Sequence, residues 1–326
     1  MDRRKRSKTR LIAATLFAGL MISSALAATE PLLSEMAWLD IKASKDQSLE
    51  ALSTRPISGA QASRGLTESE KYGRRAFQTP TILGGQAAKA GLSCNSCHQN
   101  GRDNPIFHFP NISGAAGTAD VTHGFFSSFR GNEKFDPIAI PDLTKRGKIS
   151  HDKGGRQLEI FIKGLIVEEF NGPEPSERLI SALADYVRGL REIDSEADIR
   201  QDRKVGTRLD MIEEAVEAVQ QALEASSPDR AYIRTNMMAA RHQLGLVHER
   251  YDGRKLVSDR KRIGGASAGL LHIQSKLDEG TEFRDAGRQL KHWQAGLAKL
   301  RKRLEKNSYK SLFNRKLLEN SLSYTL

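Results

Sequence analysis

Cysteine is scarce in this chain of 326 residues, which has only Cys94 and Cys97. Two cysteines cannot form the set of disulfides that stabilises many small secreted folds, nor the two ligand pairs of a four-cysteine zinc site. Aromatic residues make up 6% of the chain. One long apolar run lies near the N-terminus, and no other stretch has the roughly 20 apolar residues of a membrane-spanning helix. A composition of 38% hydrophobic and 28% charged residues favours a globular chain of about two domains.

The N-terminal segment has the pattern of an export signal. Residues 1–10 are rich in Arg and Lys, residues 11–25 are apolar, and Ala25-Leu26-Ala27 places small residues before a cleavage point. This pattern predicts a signal peptide over residues 1–27 and a periplasmic protein, with an uncleaved membrane anchor as the alternative. The net charge is +11. For an exported protein we expect the partner to be an acidic redox protein, with membrane-surface contact as a further possibility, rather than nucleic acid.

Both cysteines lie in the sequence Cys94-Asn95-Ser96-Cys97-His98. Two thiols three positions apart on one helical turn can each form a thioether to the same porphyrin, and the histidine that follows can bind its iron. The motif therefore predicts one covalent haem c, attached through Cys94 and Cys97, with His98 as an axial ligand. A thioredoxin-type redox pair would need a βαβ setting, and a plain disulfide would leave the histidine unexplained.

Two amphipathic helices are predicted around the motif. Thr67 is a candidate N-cap for a helix from Glu68, which would place Gly73 and Phe77 on one face. A second helical pattern spans Ser176–Arg191, and a small residue on one helix would let an aromatic side chain of the other approach closely. Between them, residues 101–140 are rich in Gly, Pro, Asn and Phe, which predicts a loop wrapped around an apolar group.

Residues 66–192 resemble a class I cytochrome c domain. More narrowly, they are similar to the C-terminal haem domain of the bacterial di-haem cytochrome c peroxidase and MauG family. The class I resemblance rests on the helix with Gly73 and Phe77, on Cys94 to His98, and on the helical pattern from Leu183 to Leu190. The narrower resemblance rests on Ser93 to His98, on the stretch 135–143, and on His151-Asp152 followed by Gly154-Gly155 and Leu158-Glu159. It implies an all-α haem fold and haem redox chemistry. This chain has one attachment motif, so the second haem of the peroxidases is not expected.

The second face of the iron is less well defined by the sequence. The resemblance implies an axial Met near Leu165, but no Met occurs from residue 99 to 210. Histidine ligation is the first alternative, with His123 ranked before His151 and His151 before His108. An open site holding water is the second alternative. The arginines that could then balance the haem propionates are Arg102, Arg130 and Arg156.

The sequence pattern changes from about Val205, after which proline almost disappears and apolar residues recur every three or four positions. Four such seams predict four helices, separated by turns at 226–228, 252–253 and 279–280. An antiparallel helical bundle follows from this pattern. Its four histidines lack the Glu-x-x-His pattern of a metal-binding bundle, so we expect them on solvated faces. The tail from Lys299 to Lys316 is basic, as in a solvated helix face or a docking surface for an acidic partner or membrane.

These observations predict an all-α protein with a cytochrome c-like haem domain followed by an antiparallel helical bundle. The predicted segments are a signal peptide over 1–27, a lead-in and linker over 28–65, the haem domain over 66–200 and the bundle over 201–326. The predicted function is that of a periplasmic mono-haem electron-transfer cytochrome. The alternatives are a peroxidase-like or MauG-like haem oxidoreductase with an open iron site, and a haem-based sensor module.

Overall fold

The computed structural model describes residues 38–40, 42–56, 65–145, 147–192 and 200–323. The predicted signal peptide and much of the predicted lead-in and linker lie outside these ranges. The described residues belong to one compact unit, and they are mostly helical, which confirms the predicted all-α class. No helix in the described ranges combines the length and apolar character needed to cross a membrane.

Eleven α-helices and four short strands make up the described part of the chain. The helices are α1 Lys45–Ser53, α2 Glu68–Phe77, α3 Gly85–Lys89, α4 Cys94–Cys97, α5 Gln157–Gly164, α6 Glu177–Gly189, α7 Val205–Glu224, α8 Arg230–Arg250, α9 Val257–Asp278, α10 Phe283–Asn307 and α11 Arg315–Leu322. The strands are β1 Thr54–Pro56, β2 Thr118–Ala119, β3 Ile138–Ala139 and β4 Arg200–Asp202. The pairs β1–β4 and β2–β3 are both antiparallel.

Helices α2 and α6 cross in close contact, as the sequence predicts. Thr67 caps α2, where its hydroxyl accepts a hydrogen bond from Glu70 N at 3.3 Å and its own N–H donates to the Glu70 carboxylate at 2.9 Å. At the crossing, a Cβ on Gly73 would lie 2.0 Å from the carbonyl oxygen of Ala182. Only glycine allows this approach. Next to it, the rings of Phe77 and Tyr186 meet edge-to-face with centroids 5.2 Å apart.

A first hydrophobic core lies beneath these two helices and the irregular segment that follows the motif. That segment contributes buried side chains such as Phe107, Phe109 and Phe126. Trp38 packs on Phe109 at a centroid distance of 4.3 Å and donates its indole N–H to Ala90 O at 3.1 Å. The lead-in is therefore packed on the first core at this point. The segment over residues 101–140 supplies buried aromatic side chains to that core, and its wrapping around a further apolar group stays a prediction.

Helices α7 to α10 form the predicted four-helix bundle. Helix α7 packs against α8 and α10, and α9 packs against the same two helices. The predicted seam positions are buried or partly buried in a second core. Its members with no exposed surface include Leu209, Ile212, Val219, Met237, Ala240, Leu244, Val247, Tyr251, Ile263, Leu270, Leu290 and Leu304. The apolar core of the bundle therefore follows from the spacing of three and four residues. The prediction that the bundle histidines lie on solvated faces is wrong for His242, which is 1% exposed.

A polar network joins α2 to the bundle. Arg75 is 2% exposed and contacts Glu214 on α7 at 2.5 Å and the Asn236 amide oxygen on α8 at 2.6 Å. Arg74 binds the same carboxylate through distances of 2.9 and 2.8 Å. Tyr72 and Tyr232 also meet across this contact with ring centroids 4.5 Å apart. The bundle is thus attached to the first core by charged and aromatic contacts.

Candidate functional site

The Cys94–Cys97 segment forms one helical turn, α4. Ser93 N donates to the hydroxyl of Ser96 at 3.0 Å, and His98 N donates to the carbonyl oxygen of Cys94 at 2.9 Å. The turn therefore continues to the histidine. Both thiols lie on one side of the turn because residues three apart in a helix are neighbours on its surface.

The two thiols are free and half-buried, and both pack against the first core. Burial raises the pKa of Cys94 to about 12, and burial together with the neighbouring Cys94 raises the pKa of Cys97 to about 12. A nucleophilic redox pair needs the opposite shift, because the thiolate is the reactive form. Neutral sulfur in an apolar setting suits an uncharged thioether instead.

The imidazole of His98 is oriented by a backbone carbonyl. Its Nδ1 lies 3.0 Å from Pro141 O, and a carbonyl oxygen can only accept, so Nδ1 carries the proton and donates. The lone pair of Nε2 is left available for a metal. Burial lowers the pKa of His98, against the opposing effects of the Pro141 carbonyl and the carboxylates of Asp142 and Asp103. The neutral, metal-binding form of the ring is therefore favoured.

The segment that carries the Pro141 carbonyl is itself fixed to the motif. Leu143 N donates to Gly101 O at 2.9 Å, just after the motif. The Asp142 carboxylate is buried, accepts from Thr144 N at 2.9 Å and lies 3.5 Å from the guanidinium of Arg102. This role of Pro141 was not predicted from the sequence and has no local signal there, since 43 positions separate the two partners.

Asparagine side chains form further hydrogen bonds to the backbone around the turn. Asn100 has a left-handed backbone with φ of 51°, and its N–H donates to the Asn95 side chain at 2.9 Å. Its own amide donates to Pro56 O at 2.5 Å, which links the motif to β1. Asn104 donates to Ser96 O at 2.9 Å. These three hydrogen bonds fix the backbone around the two thiols.

Several large apolar side chains are exposed between residues 125 and 161. Ile138 is 67% exposed and lies three residues before Pro141, within roughly 11 Å along an extended chain. The others are Phe125, Phe129, Phe135, Ile160 and Phe161. Exposed apolar groups that lie together can form a binding surface for a ligand or partner.

Tyr186 places an isolated polar atom close to the motif. Its ring is 1% exposed, its hydroxyl has no hydrogen-bond partner in the described ranges, and burial raises its pKa to about 12. The Cys94 sulfur is near enough to contribute to that shift. A buried hydroxyl without a partner is costly, so it fits a site where a further acceptor binds.

The three candidate histidines lie in different surroundings. The Nδ1 of His123 accepts a hydrogen bond from Phe125 N at 3.0 Å, which places the ring proton on Nε2. His151 is exposed and lines a groove of about 300 Å³ with Thr67 and Asp185, away from the three motif side chains. His108 is half-buried, and its backbone N–H donates to Trp38 O at 3.0 Å. His123 and His151 therefore remain predicted ligands without a supporting contact to the motif.

The position where the resemblance implies an axial Met lies in an unusual turn. Leu165 begins a π-helical turn, Leu165–Glu169, that follows α5. Gly172 N donates to Ile166 O at 2.7 Å and closes the segment. π-Turns are often found at functional sites, but a leucine side chain has no atom that can bind iron.

The three candidate arginines also have different partners and lie at different distances along the chain from the motif. Arg130 pairs with Glu168 and with Glu169, and Arg156 pairs with Glu177. Arg102 contacts Asp142, beside the His98–Pro141 hydrogen bond. Of the three, Arg102 is the one placed next to the motif.

The comparisons with known proteins add no relative. No protein-family model, no curated protein and no solved structure matches this chain. Within the described ranges, no cluster of three or more His, Cys, Asp or Glu side chains could hold a metal ion. The chemistry of the site therefore rests on the thiols, the imidazole and their surroundings. Two neutral thiols on one turn, packed against the first core, and an oriented imidazole together fit a covalently bound haem.

Proposed function

We propose that this protein is a mono-haem c-type cytochrome that transfers electrons. The observation that carries the proposal is the pairing of His98 with Pro141. One helical turn presents two neutral thiols, and the imidazole beside them has its Nδ1 proton committed to a carbonyl at 3.0 Å. A redox-disulfide pair would require neither the carbonyl partner nor this tautomer. A structural zinc site would need a fourth ligand, and the described ranges hold no cluster of His, Cys, Asp or Glu side chains that could supply one.

The chain's own residues have distinct parts in this function. Cys94 and Cys97 would each hold the haem through one thioether, in which the sulfur is bonded to a carbon of a former vinyl group and the thiol hydrogen has gone to the neighbouring carbon. When bound, the haem supplies an Fe(II)/Fe(III) couple. The Pro141 carbonyl draws on the Nδ1 proton of His98 and makes the imidazole a stronger electron donor, which favours the ferric state.

The helix crossing supports the finer proposal that residues 66–200 form a cytochrome c-like domain. The contact of Gly73 with Ala182, and of Phe77 with Tyr186, joins the helix before the motif to the last helix of the domain. The resemblance to class I cytochromes rests on the same helices. We also propose that the described chain is exported to the periplasm after cleavage near Ala27, which N-terminal sequencing of the fractionated protein would test.

A second candidate is a haem protein with an open iron face, as in a peroxidase-like or MauG-like oxidoreductase or a sensor. The hydrogen bond from Phe125 N to His123 favours it, because a ring nitrogen that carries a proton cannot bind iron. His151 is exposed in a separate groove. Neither predicted histidine is therefore poised to fill the second face.

Spectroscopy and a redox titration of the purified protein separate the two candidates. Electron transfer predicts a reversible one-electron couple and a reduced spectrum that CO leaves unchanged. Substitution of His98 by Gln should remove the imidazole signature, and His292→Gln, at an exposed position of the bundle, serves as the matched control. A high-spin ferric form that binds CO when reduced and consumes peroxide would replace electron transfer by the open-site candidate. Absence of any haem spectrum would reject both.

A further inference from the structure

The outer face of helices α9 and α10 has an unusual charge balance. Residues 254–262 and 299–310 together contain eleven Lys and Arg residues against two acidic residues, Asp259 and Glu305. The two segments lie side by side, because Asp259 contacts Arg303 and accepts from Asn307 at 2.9 Å. Helix α9 runs antiparallel to α10, so the cations of both segments gather at one end of the bundle.

The acidic side chains at this end of the bundle already form ion pairs. Asp259 is 1% exposed and paired with Arg303, and Glu305 pairs with Arg301 at 3.0 Å. Asp252, in the preceding turn, pairs with Arg260 at 2.9 Å. Eight exposed cations form no ion pair with any described residue, and we call them the basic face. They are Arg254, Lys255, Lys261, Arg262, Lys299, Lys302, Lys306 and Lys310.

The spacing places much of the basic face on a single surface. Lys299, Lys302 and Lys306 recur at three and four positions and share one side of α10. The basic segments cover the first residues of α9, 257–262, and the last of α10, 299–307, which rise about 9 Å and about 13 Å along their axes. The basic face is therefore a compact, positively charged patch at one end of the bundle.

We propose that the basic face docks this protein on an anionic lipid surface. Lysine is depleted in protein–protein interfaces, whose binding energy depends on buried aromatic and arginine anchors. Six of the eight cations are lysines, and the exposed large apolar side chains beside them are Val257 and Tyr309. Flexible lysines suit a fluid layer of negative headgroups, and a tyrosine suits its interfacial zone. An acidic protein partner fits this composition less well.

The proposal goes beyond electron transfer and does not depend on it. Docking through the bundle would hold the first core, to which the bundle is attached, near the membrane. This gives the bundle a role that the haem site does not explain.

The test is sedimentation of the full protein with phosphatidylcholine vesicles that contain or lack phosphatidylglycerol. We expect binding to the anionic vesicles at low salt, little binding to the neutral ones, and release at 1 M salt, where the Debye length is about 3 Å. The triple variant Lys299→Gln, Lys302→Gln, Lys306→Gln should weaken the partition coefficient about 100-fold. Glutamine preserves helix propensity, and circular dichroism checks the fold.

The matched control removes the same charge elsewhere. Lys134, Lys145 and Lys148 are exposed and form no ion pair with another described residue, and their replacement by Gln should change the partition coefficient several-fold less. Equal losses in both triple variants would overturn the proposal, because net charge alone would then account for binding. Retention on soluble polyglutamate without binding to anionic vesicles would also overturn it, in favour of an acidic protein partner.

Discussion

Gly73 offers a direct test of the helix crossing that supports the first core. In Gly73→Ala, the new Cβ would lie 2.0 Å from the carbonyl oxygen of Ala182 and 2.8 Å from the Cβ of Tyr186. Neither atom belongs to a flexible side-chain end, so α2 and α6 must move apart. Overpacking costs about 1–3 kcal/mol, and loss of the Phe77–Tyr186 contact costs about 0.5–1.5 kcal/mol. The higher helix propensity of alanine offsets about 0.5–1 kcal/mol of this loss.

The net expectation for Gly73→Ala is a loss of about 2 kcal/mol in the free energy of unfolding, a change of up to roughly 30-fold in the folded-to-unfolded ratio. Urea denaturation followed by circular dichroism measures it. Gly265→Ala is the matched control, because Gly265 is exposed within α9 and has no atom within 4 Å of its hypothetical Cβ. It should gain about 0.5–1 kcal/mol. If both variants shift the urea midpoint equally, the close crossing of α2 and α6 is refuted.

Three further predictions concern buried polar groups. Arg188 binds the Glu159 carboxylate through two distances of 2.6 Å and lowers its pKa, so Arg188→Met should cost about 3–5 kcal/mol at pH 7. Because the pKa of Glu159 is lowered in the folded state, the ion pair should stabilise the wild type above the ordinary carboxyl pKa, and this contribution should be lost as the pH falls through the folded-state pKa. Urea denaturation at a series of pH values should show this loss for the wild type and not for Arg188→Met. Tyr251→Phe removes a buried hydrogen bond to α10 and should cost about 1 kcal/mol in thermal unfolding; an unchanged Tm would contradict it. Glu214→Gln leaves buried Arg75 without its carboxylate and should cost about 2 kcal/mol, reduced from the fully buried range because Glu214 is partly exposed; unchanged urea denaturation would argue against this network.

The four-helix bundle was accessible to sequence reasoning because its signal is local. Apolar residues every three or four positions determine which face of each helix is buried, and short turns force neighbours to run antiparallel. The same reasoning predicts α2, through the Thr67 cap, and α6, through the helical period of its apolar residues. In both places, the residues that define the element lie within a few positions of each other.

The candidate site was predicted only in part, since its remaining contacts join distant residues. The motif identified Cys94, Cys97 and His98, but the Pro141 carbonyl that sets the tautomer comes from a segment 43 positions away. Arg75 is buried although its sequence context suggests an exposed cation, because Glu214 and Asn236 are supplied by the bundle. Such pairings depend on tertiary packing and have no periodic signature.

The most direct test of the account is the intact mass of the purified protein, together with its content of free thiols. In a host that matures c-type cytochromes, we predict that the chain carries the added mass of one haem and no thiol that reacts with an alkylating agent after denaturation. Cys94→Ala/Cys97→Ala should lose that covalent mass. A colourless wild-type chain of unmodified mass, with both cysteines open to alkylation, would contradict the central claim.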